Sequence, residues 1–120
     1  MVIPTDAVAD ETLDLAAIAT LFGVDQIDDE MRGFLVSAVK MLAPTVEQLR
    51  VALAAADLRE ARYAAHAAEG AAESMGAKSI AQLCGAIDQA LRAGDLAAAQ
   101  ARSGELGPRL EALTRRVAAL

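Results

Sequence analysis

The chain has 120 residues and a formal net charge of −6, with 55% hydrophobic but only 2% aromatic residues. This length suits one compact domain. The negative charge repels nucleic-acid phosphates and anionic membrane surfaces, so we expect neither as a partner. No stretch approaches the ~20 consecutive apolar residues of a membrane span. Thirty residues are alanine, the strongest helix former, which predicts an all-α fold.

Residues 1–12 are a polar stretch without the basic and apolar regions of a signal peptide, so we expect a loosely held lead-in. The domain itself is predicted to span residues 13–120. The single cysteine, Cys84, cannot form an internal disulfide. That fits the reducing cytosol and predicts a cytoplasmic protein. Cys84 falls on the apolar side of its helix, where we expect a buried, inert thiol.

Two helices are predicted in the first half of the chain. A short one covers residues 13–22 and ends at Gly23. A long one follows over residues 28–56, where the acidic residues at its start suit the helix dipole. Pro44 lies inside it, removes one backbone donor and should bend it. Its apolar stripe consists of Met31, Leu35, Ala38, Leu42, Val46, Leu49 and Leu53.

A third helix is predicted over residues 58–75. Asp57 and Glu60 have the spacing of a capping box, with Asp57 as N-cap, and Gly76 suits a left-handed cap at the other end. The apolar positions recur at alternating spacings of three and four residues, which places them on one face. This stripe consists of Leu58, Ala61, Ala65, Ala68, Ala72 and Met75.

The remaining sequence predicts a helix over residues 78–93, ended by Gly94, and a last helix that Asp95 caps. The Gly107-Pro108 pair predicts a kink or a break in the last helix. Four long amphipathic helices joined by tight turns predict an antiparallel up-down-up-down four-helix bundle, with the short N-terminal helix over one end.

His66 is the only histidine and the first candidate for chemistry. It follows Ala65 of the apolar stripe, so it lies about 100° around the helix, on the flank near solvent. Gly70 lies one turn further on, although a mid-helix glycine costs about 0.5–1 kcal/mol relative to alanine. Two explanations stay open at this point. Gly70 either leaves an open face for a molecule that approaches the imidazole, or permits a close helix–helix crossing.

The stretch from His66 to Ala77 reads His-Ala-Ala-Glu-Gly-Ala-Ala-Glu-Ser-Met-Gly-Ala. It resembles the phosphoacceptor helix of the histidine-containing phosphotransfer (HPt) family. The Leu-Cys step at Cys84 and the Arg-Ala-Gly-Asp turn at 92–95 are similar to the family's next helix and turn, and the likeness covers almost the whole chain. The resemblance implies a phosphoryl carrier of two-component phosphorelays, with no cofactor and no ATP-binding or catalytic domain of its own. It would exchange the group with a receiver-domain aspartate or a sensor histidine kinase, and the receiver would supply Mg²⁺.

The resemblance also assigns roles to single residues. His66 matches the phosphoacceptor, and Gly70 matches the glycine that keeps it accessible. Asp88 falls where the family usually has Gln or Glu, which hydrogen-bonds the ring nitrogen that is not phosphorylated. A carboxylate that accepts the Nδ1 proton would fix the tautomer and strengthen the nucleophile. The alternative for Asp88 is a solvated charge on the helix.

One position departs from the family pattern. Glu69 stands where the family usually has a Lys that offsets the phosphoryl charge, so it adds negative charge beside that group. Arg62, one turn before His66, is our candidate for the missing cation. The alternative is that Glu69 is a plain solubilising charge, which is the default for a surface carboxylate. The expected docking face for a partner consists of Arg62, Ala67, Gly70, Ala71 and Ser74.

Three other functions remain open from the sequence. The chain could be the phosphoacceptor domain of a chemotaxis-type or hybrid histidine kinase, a non-catalytic scaffold that binds a receiver, or a plain dimerisation module. We expect a monomer. A metal site is not expected, because one histidine and outward-facing carboxylates do not supply converging ligands.

Overall fold

The computed structural model describes residues 12–120, so the predicted lead-in lies outside the described residues except for Thr12. The described part of the chain is all-helical, as predicted. Its helices are α1 (Leu15–Phe22), α2 (Asp29–Ala54), α3 (Leu58–Ser74), α4 (Lys78–Arg92), α5 (Leu96–Ser103) and α6 (Leu106–Ala118). No helix within residues 12–120 has the length and apolar character that crossing a membrane requires.

Aspartate side chains cap the start of α1, α2, α3 and α5, because a carboxylate can accept the free backbone N–H groups of the first turn. Asp57 accepts from the Glu60 N–H at 3.1 Å, and Asp95 accepts from the Ala98 N–H at 3.0 Å. These are the two N-caps that the sequence predicts. Glycines with positive φ follow α1, α3 and α4, namely Gly23 (69°), Gly76 (75°) and Gly94 (75°). The left-handed cap at Gly76 and the helix ends at Gly23 and Gly94 are as predicted.

The predicted stripes are confirmed apart from two positions. Leu58 is 48% exposed because it is the first residue of α3, at the turn that follows Asp57. On α2, Val39 is buried whereas Ala38 is only half-buried, so the stripe is wider than predicted. The α2 helix continues through Pro44 without a break.

The last predicted helix is divided in two, but the break lies earlier than predicted. It falls at Gly104 and Glu105, between α5 and α6. The Gly107-Pro108 pair lies in the first turn of α6. Proline is tolerated there because the N–H that it lacks would have no partner within the helix.

The packing of α3 decides where the site lies. This helix packs against α2 on one side and α4 on the other. Its buried residues are all alanines, namely Ala61, Ala64, Ala65, Ala68 and Ala72. Small side chains let the neighbouring helices approach closely, so α3 buries a narrow stripe and leaves its outer face to solvent.

Candidate functional site

His66 lies on the outer face of α3 and is exposed, as predicted, between the buried Ala65 and Ala68. Its imidazole borders two adjoining shallow hollows between α3 and α4. The first hollow is lined by His66, Glu69, Glu73, Lys78, Ala81, Gln82, Gly85, Ala86, Asp88, Gln89 and Arg92. The second is lined by Arg59, Arg62, Tyr63, His66, Asp88 and Arg92. His66 therefore stands between a hollow of mixed charge, lined by three acidic and two basic side chains, and a basic region where three arginines face one aspartate.

The basic region contains three exposed arginines, Arg59, Arg62 and Arg92, which we call the arginine cluster. Arg62 lies where the sequence predicts a cation. Arg59, one further turn back on α3, and Arg92, on α4, were not predicted. The signal for Arg59 was present in the sequence, because its spacing of seven residues from His66 places both on one helical face. The contribution of Arg92 depends on how α4 packs on α3.

Asp88 lies beside His66, but its carboxylate pairs with an arginine. Its Oδ2 is 3.0 Å from Arg92 Nε, and Asp88 is only 6% exposed. Within residues 12–120, no hydrogen bond joins Asp88 to His66, so the structure does not contain the contact that the resemblance implies. The aspartate side chain is short, and Arg92 lies one turn further along α4, where it can reach the carboxylate. The alternative of a solvated charge is also wrong, because Asp88 is buried.

Glu69 is half-buried and leans from α3 onto α4. Its Oε2 occupies the space that a Cβ on Gly85 would need. Its negative charge also reaches the thiol of Cys84, which is fully buried as predicted. Burial, with a smaller contribution from the Glu69 charge, raises the pKa of Cys84 to about 12, although the Arg109 charge acts to lower it. Glu69 therefore directs its carboxylate towards α4, not only into solvent.

The first hollow offers no set of ligands for a metal ion. Within residues 12–120, no three His, Cys, Asp or Glu side chains are arranged to hold one. Lys78, at the far end of the first hollow, binds Asp14 with a distance of 2.7 Å between Nζ and Oδ2. The first hollow is thus open and of mixed charge, with Glu69, Glu73 and Asp88 as its acidic side chains and Lys78 and Arg92 as its basic ones.

Gly70 faces open space. Beyond its own helix backbone and its two chain neighbours, a Cβ on this residue would have no heavy atom of the described structure within 4 Å, so no helix crosses there and that explanation is wrong. The docking face around it carries small side chains. Ala67 is exposed and Ala71 half-buried, while the Ser74 hydroxyl donates to the backbone oxygens of Gly70 at 3.1 Å and Ala71 at 3.0 Å.

An apolar groove between α2 and α3 adjoins the docking face and was not predicted. It is lined by Phe34, Ser37, Ala38, Met41, Ala71, Ser74 and Met75. Met41 is 77% exposed and Phe34 is 37% exposed. Their spacing of seven residues places both on one face of α2, a signal that the sequence carried outside the core stripe.

One comparison with known proteins gives a match. A family model described as "Hpt domain" matches residues 34–119, which include His66 and both helices that line the two hollows. The comparisons with curated proteins and with solved structures give no match.

Proposed function

Because the chain belongs to the Hpt domain family, whose members are histidine phosphotransfer domains, we propose that His66 carries the phosphoryl group in a two-component phosphorelay. The observation that carries this proposal is the position of the only histidine. It is exposed on a helix, with open space over the glycine one turn away. A neutral imidazole nitrogen with a free lone pair is a good nucleophile towards phosphorus.

The proposed reaction exchanges the group with an aspartate of a receiver domain. His66 Nε2 attacks the phosphorus of the aspartyl phosphate, and an N–P bond forms as the P–O bond to the carboxylate breaks. The electron pair of that bond stays on the aspartate, and Nδ1 keeps its proton. The reverse reaction returns the group. The receiver supplies the Mg²⁺ that neutralises charge in the transition state, so the chain acts as a carrier and needs no catalytic domain.

The arginine cluster offsets the charge of the phosphohistidine in this proposal. A phosphoryl group carries about −1.5 to −2 charges at neutral pH, and guanidinium groups suit phosphate oxygens because their donors form a planar fork. The cluster borders His66 from both α3 and α4. It replaces the family Lys, whose position Glu69 occupies here.

The docking face and the apolar groove form the proposed contact surface for a receiver or for a sensor kinase. Small residues around Gly70 let a partner's backbone approach the imidazole. The groove beside them offers exposed apolar area, which marks interaction surfaces in soluble proteins. We propose that the chain acts as a monomer in the cytoplasm, where a single unpaired cysteine is expected.

We also propose that the bundle has the up-down-up-down topology. Only three residues connect α2 to α3, α3 to α4 and α4 to α5. From α2 to α5 each helix packs against the next, and α6 packs on both α2 and α4. Short connections between packed neighbours favour antiparallel pairs. This topology brings α3 and α4 together along the two hollows.

Phosphotransfer between this chain and a panel of phosphorylated receivers and kinases tests the proposal. We expect acid-labile label on the wild type and none on His66→Gln, which keeps a polar side chain but lacks the nucleophile. Label on His66→Gln would place the phosphoryl group elsewhere. An unlabelled wild type that still binds receivers would favour the scaffold alternative.

A further inference from the structure

The contact between Glu69 and Gly85 couples the helix that carries His66 to the helix behind it. Gly85 is half-buried on α4, away from any turn. The first atom that a Cβ there would meet is Glu69 Oε2, at the far end of a flexible side chain. A glycine in a helix interior is less stable than alanine. Gly85 lies within a helix, so its backbone conformation does not require a glycine. The contact with Glu69 gives a reason for one.

We propose that Gly85 is a positioning residue, which gives the Glu69 carboxylate a place against α4 and so keeps its charge away from the phosphoryl group on His66. This inference rests on the proposed function. It explains how the site can carry an acidic residue at the position of the family Lys.

Helix geometry explains why the Glu69 carboxylate must be held against α4 and away from His66. Glu69 lies three residues after His66, so the two Cβ atoms are neighbours, about 5–6 Å apart. A carboxylate that extended along α3 into the first hollow would approach the phosphoryl oxygens and repel them. His66, Glu69 and Gly85 all line this hollow, and the Glu69 carboxylate lies against its α4 wall at Gly85. A side chain at position 85 would displace that carboxylate from α4 into the open space between the helices.

The surrounding charges agree with this arrangement. The Glu69 charge helps to raise the pKa of the Cys84 thiol, which is buried on the inner side of α4. On the far side of the hollow, Lys78 is engaged with Asp14. Arg92, the cation that α4 contributes near His66, is paired with Asp88. The carboxylate thus lies on the α4 side of the hollow, while the cations near His66 stay in the arginine cluster.

Phosphorylation of His66 by phosphoramidate tests the inference without a protein partner. In this reaction Nε2 attacks phosphorus, the P–N bond breaks, and its electron pair leaves with ammonia. The chains compared are wild type, Gly85→Ala, Glu69→Gln and the double variant. Gly33→Ala is the matched control, because it also adds a methyl group to a helix interior and meets no atom within 4 Å.

We expect Gly85→Ala to slow phosphorylation about threefold or more, since a displaced carboxylate faces the incoming dianion. High salt should reduce this effect, because it screens exposed charges. Glu69→Gln should remove it, so that the double variant reacts as fast as Glu69→Gln alone. Gly33→Ala should match the wild type. All variants should fold, because only the flexible end of Glu69 must move.

Three outcomes would overturn the inference. A Gly85→Ala chain that reacts at the wild-type rate would show that Gly85 does not direct Glu69. Slowing that persists in the Glu69→Gln background or at high salt would show a packing effect instead of a charge effect. A wild type that takes no phosphoryl group from phosphoramidate or from any receiver would remove the proposed function and the inference together.

Discussion

Arg92 Nε lies 3.0 Å from Asp88 Oδ2, one turn apart on α4, and the carboxylate in this pair is buried while the arginine is 59% exposed. Asp88 is therefore placed to fix an arginine at the edge of the His66 site. The family resemblance implies a different role, a hydrogen bond to the imidazole. The pair instead holds a cation in the hollow that His66 also lines.

The first prediction concerns this pair. Arg92→Ala should slow phosphotransfer by about two- to fivefold, as expected for the loss of one solvent-exposed ionic contact. Asp88→Asn should slow it similarly, because Arg92 loses its anchor. The double variant should be no slower than either single variant, since the two residues act as one unit. Rates of transfer from a phosphorylated receiver provide the measurement.

The control for the pair is Arg102→Ala, which removes an exposed arginine of α5 that borders neither hollow. This variant should transfer at the wild-type rate. If the Asp88→Asn, Arg92→Ala double variant transferred more slowly than either single variant, that result would contradict the anchoring role of Asp88.

A second prediction concerns the other two arginines of the cluster. Arg59→Ala and Arg62→Ala should each reduce the phosphorylated fraction at equilibrium, by an amount that falls as ionic strength rises. Arg62→Lys should retain part of the effect, because it keeps the charge but loses the planar fork. An Arg62→Ala chain with unchanged phosphorylation at low salt would show that this residue is not the replacement for the family Lys.

The sequence predicted the parts of the fold that depend on local chemistry. The predicted N-caps Asp57 and Asp95, the left-handed cap Gly76 and the exposed position of His66 follow from helix geometry and short-range hydrogen bonds. The division of the last helix was also predicted, although at the wrong residues. A proline signals a break but is tolerated in the first turn of a helix.

The features that the sequence did not predict depend on contacts between helices. The partner of Asp88, the space at Gly85 and the position of Arg92 beside His66 are all decided by how α4 packs on α3. Periodicity shows which face of a helix is buried, but not which exposed residues of two helices meet. Met41 was missed for the same reason, because the groove that it lines has α3 as its other wall.

The third prediction separates stability from docking at Gly70. Gly70→Ala should raise the free energy of unfolding by about 0.5–1 kcal/mol, because the helix gains a better former and the new methyl group meets no atom. Gly70→Gln should fold normally but slow transfer from a receiver, since its side chain occupies the approach to His66. Denaturant unfolding and receiver transfer measure the two effects.

Gly33→Ala is the comparison for Gly70, because it should also raise stability yet leave transfer unchanged. Phosphorylation of Gly70→Gln by phosphoramidate, a small donor, should stay close to the wild-type rate. Unimpaired receiver transfer by Gly70→Gln would show that partners do not approach over this glycine.

The fourth prediction tests the apolar groove. Met41→Ala should weaken receiver binding by about 1 kcal/mol or more, because a partner would bury this side chain. The unfolding free energy should hardly change, since Met41 is 77% exposed in the free domain. Val51→Ala, which shortens another exposed apolar side chain of α2, should leave binding unchanged. Equal effects of the two substitutions would mean that the groove is not a specific contact surface.

The last prediction concerns Asp14, which joins α1 to the turn between α3 and α4. Its backbone N–H donates to the Gly76 oxygen at 2.8 Å, and its carboxylate binds Lys78. The hydrogen bond from Lys78 lowers the pKa of Asp14 below its ordinary value of 3.8. A carboxyl whose pKa is lower in the folded state stabilises the fold above the unfolded pKa, and this stability is lost as pH falls through the folded value.

Asp14→Asn should therefore lower the unfolding free energy at pH 7 by about 1 kcal/mol or less, because Lys78 is half exposed and the pair is partly screened. Asparagine remains a good N-cap, so the substitution removes the ion pair and keeps the cap. The difference from wild type should shrink as the pH falls below 3.8. Asp95→Asn, at an exposed N-cap bonded to Ala98, is the control and should change stability less at pH 7. A difference between Asp14→Asn and wild type that stays constant from pH 7 into the acid range would show that the Asp14–Lys78 pair contributes nothing through its charge.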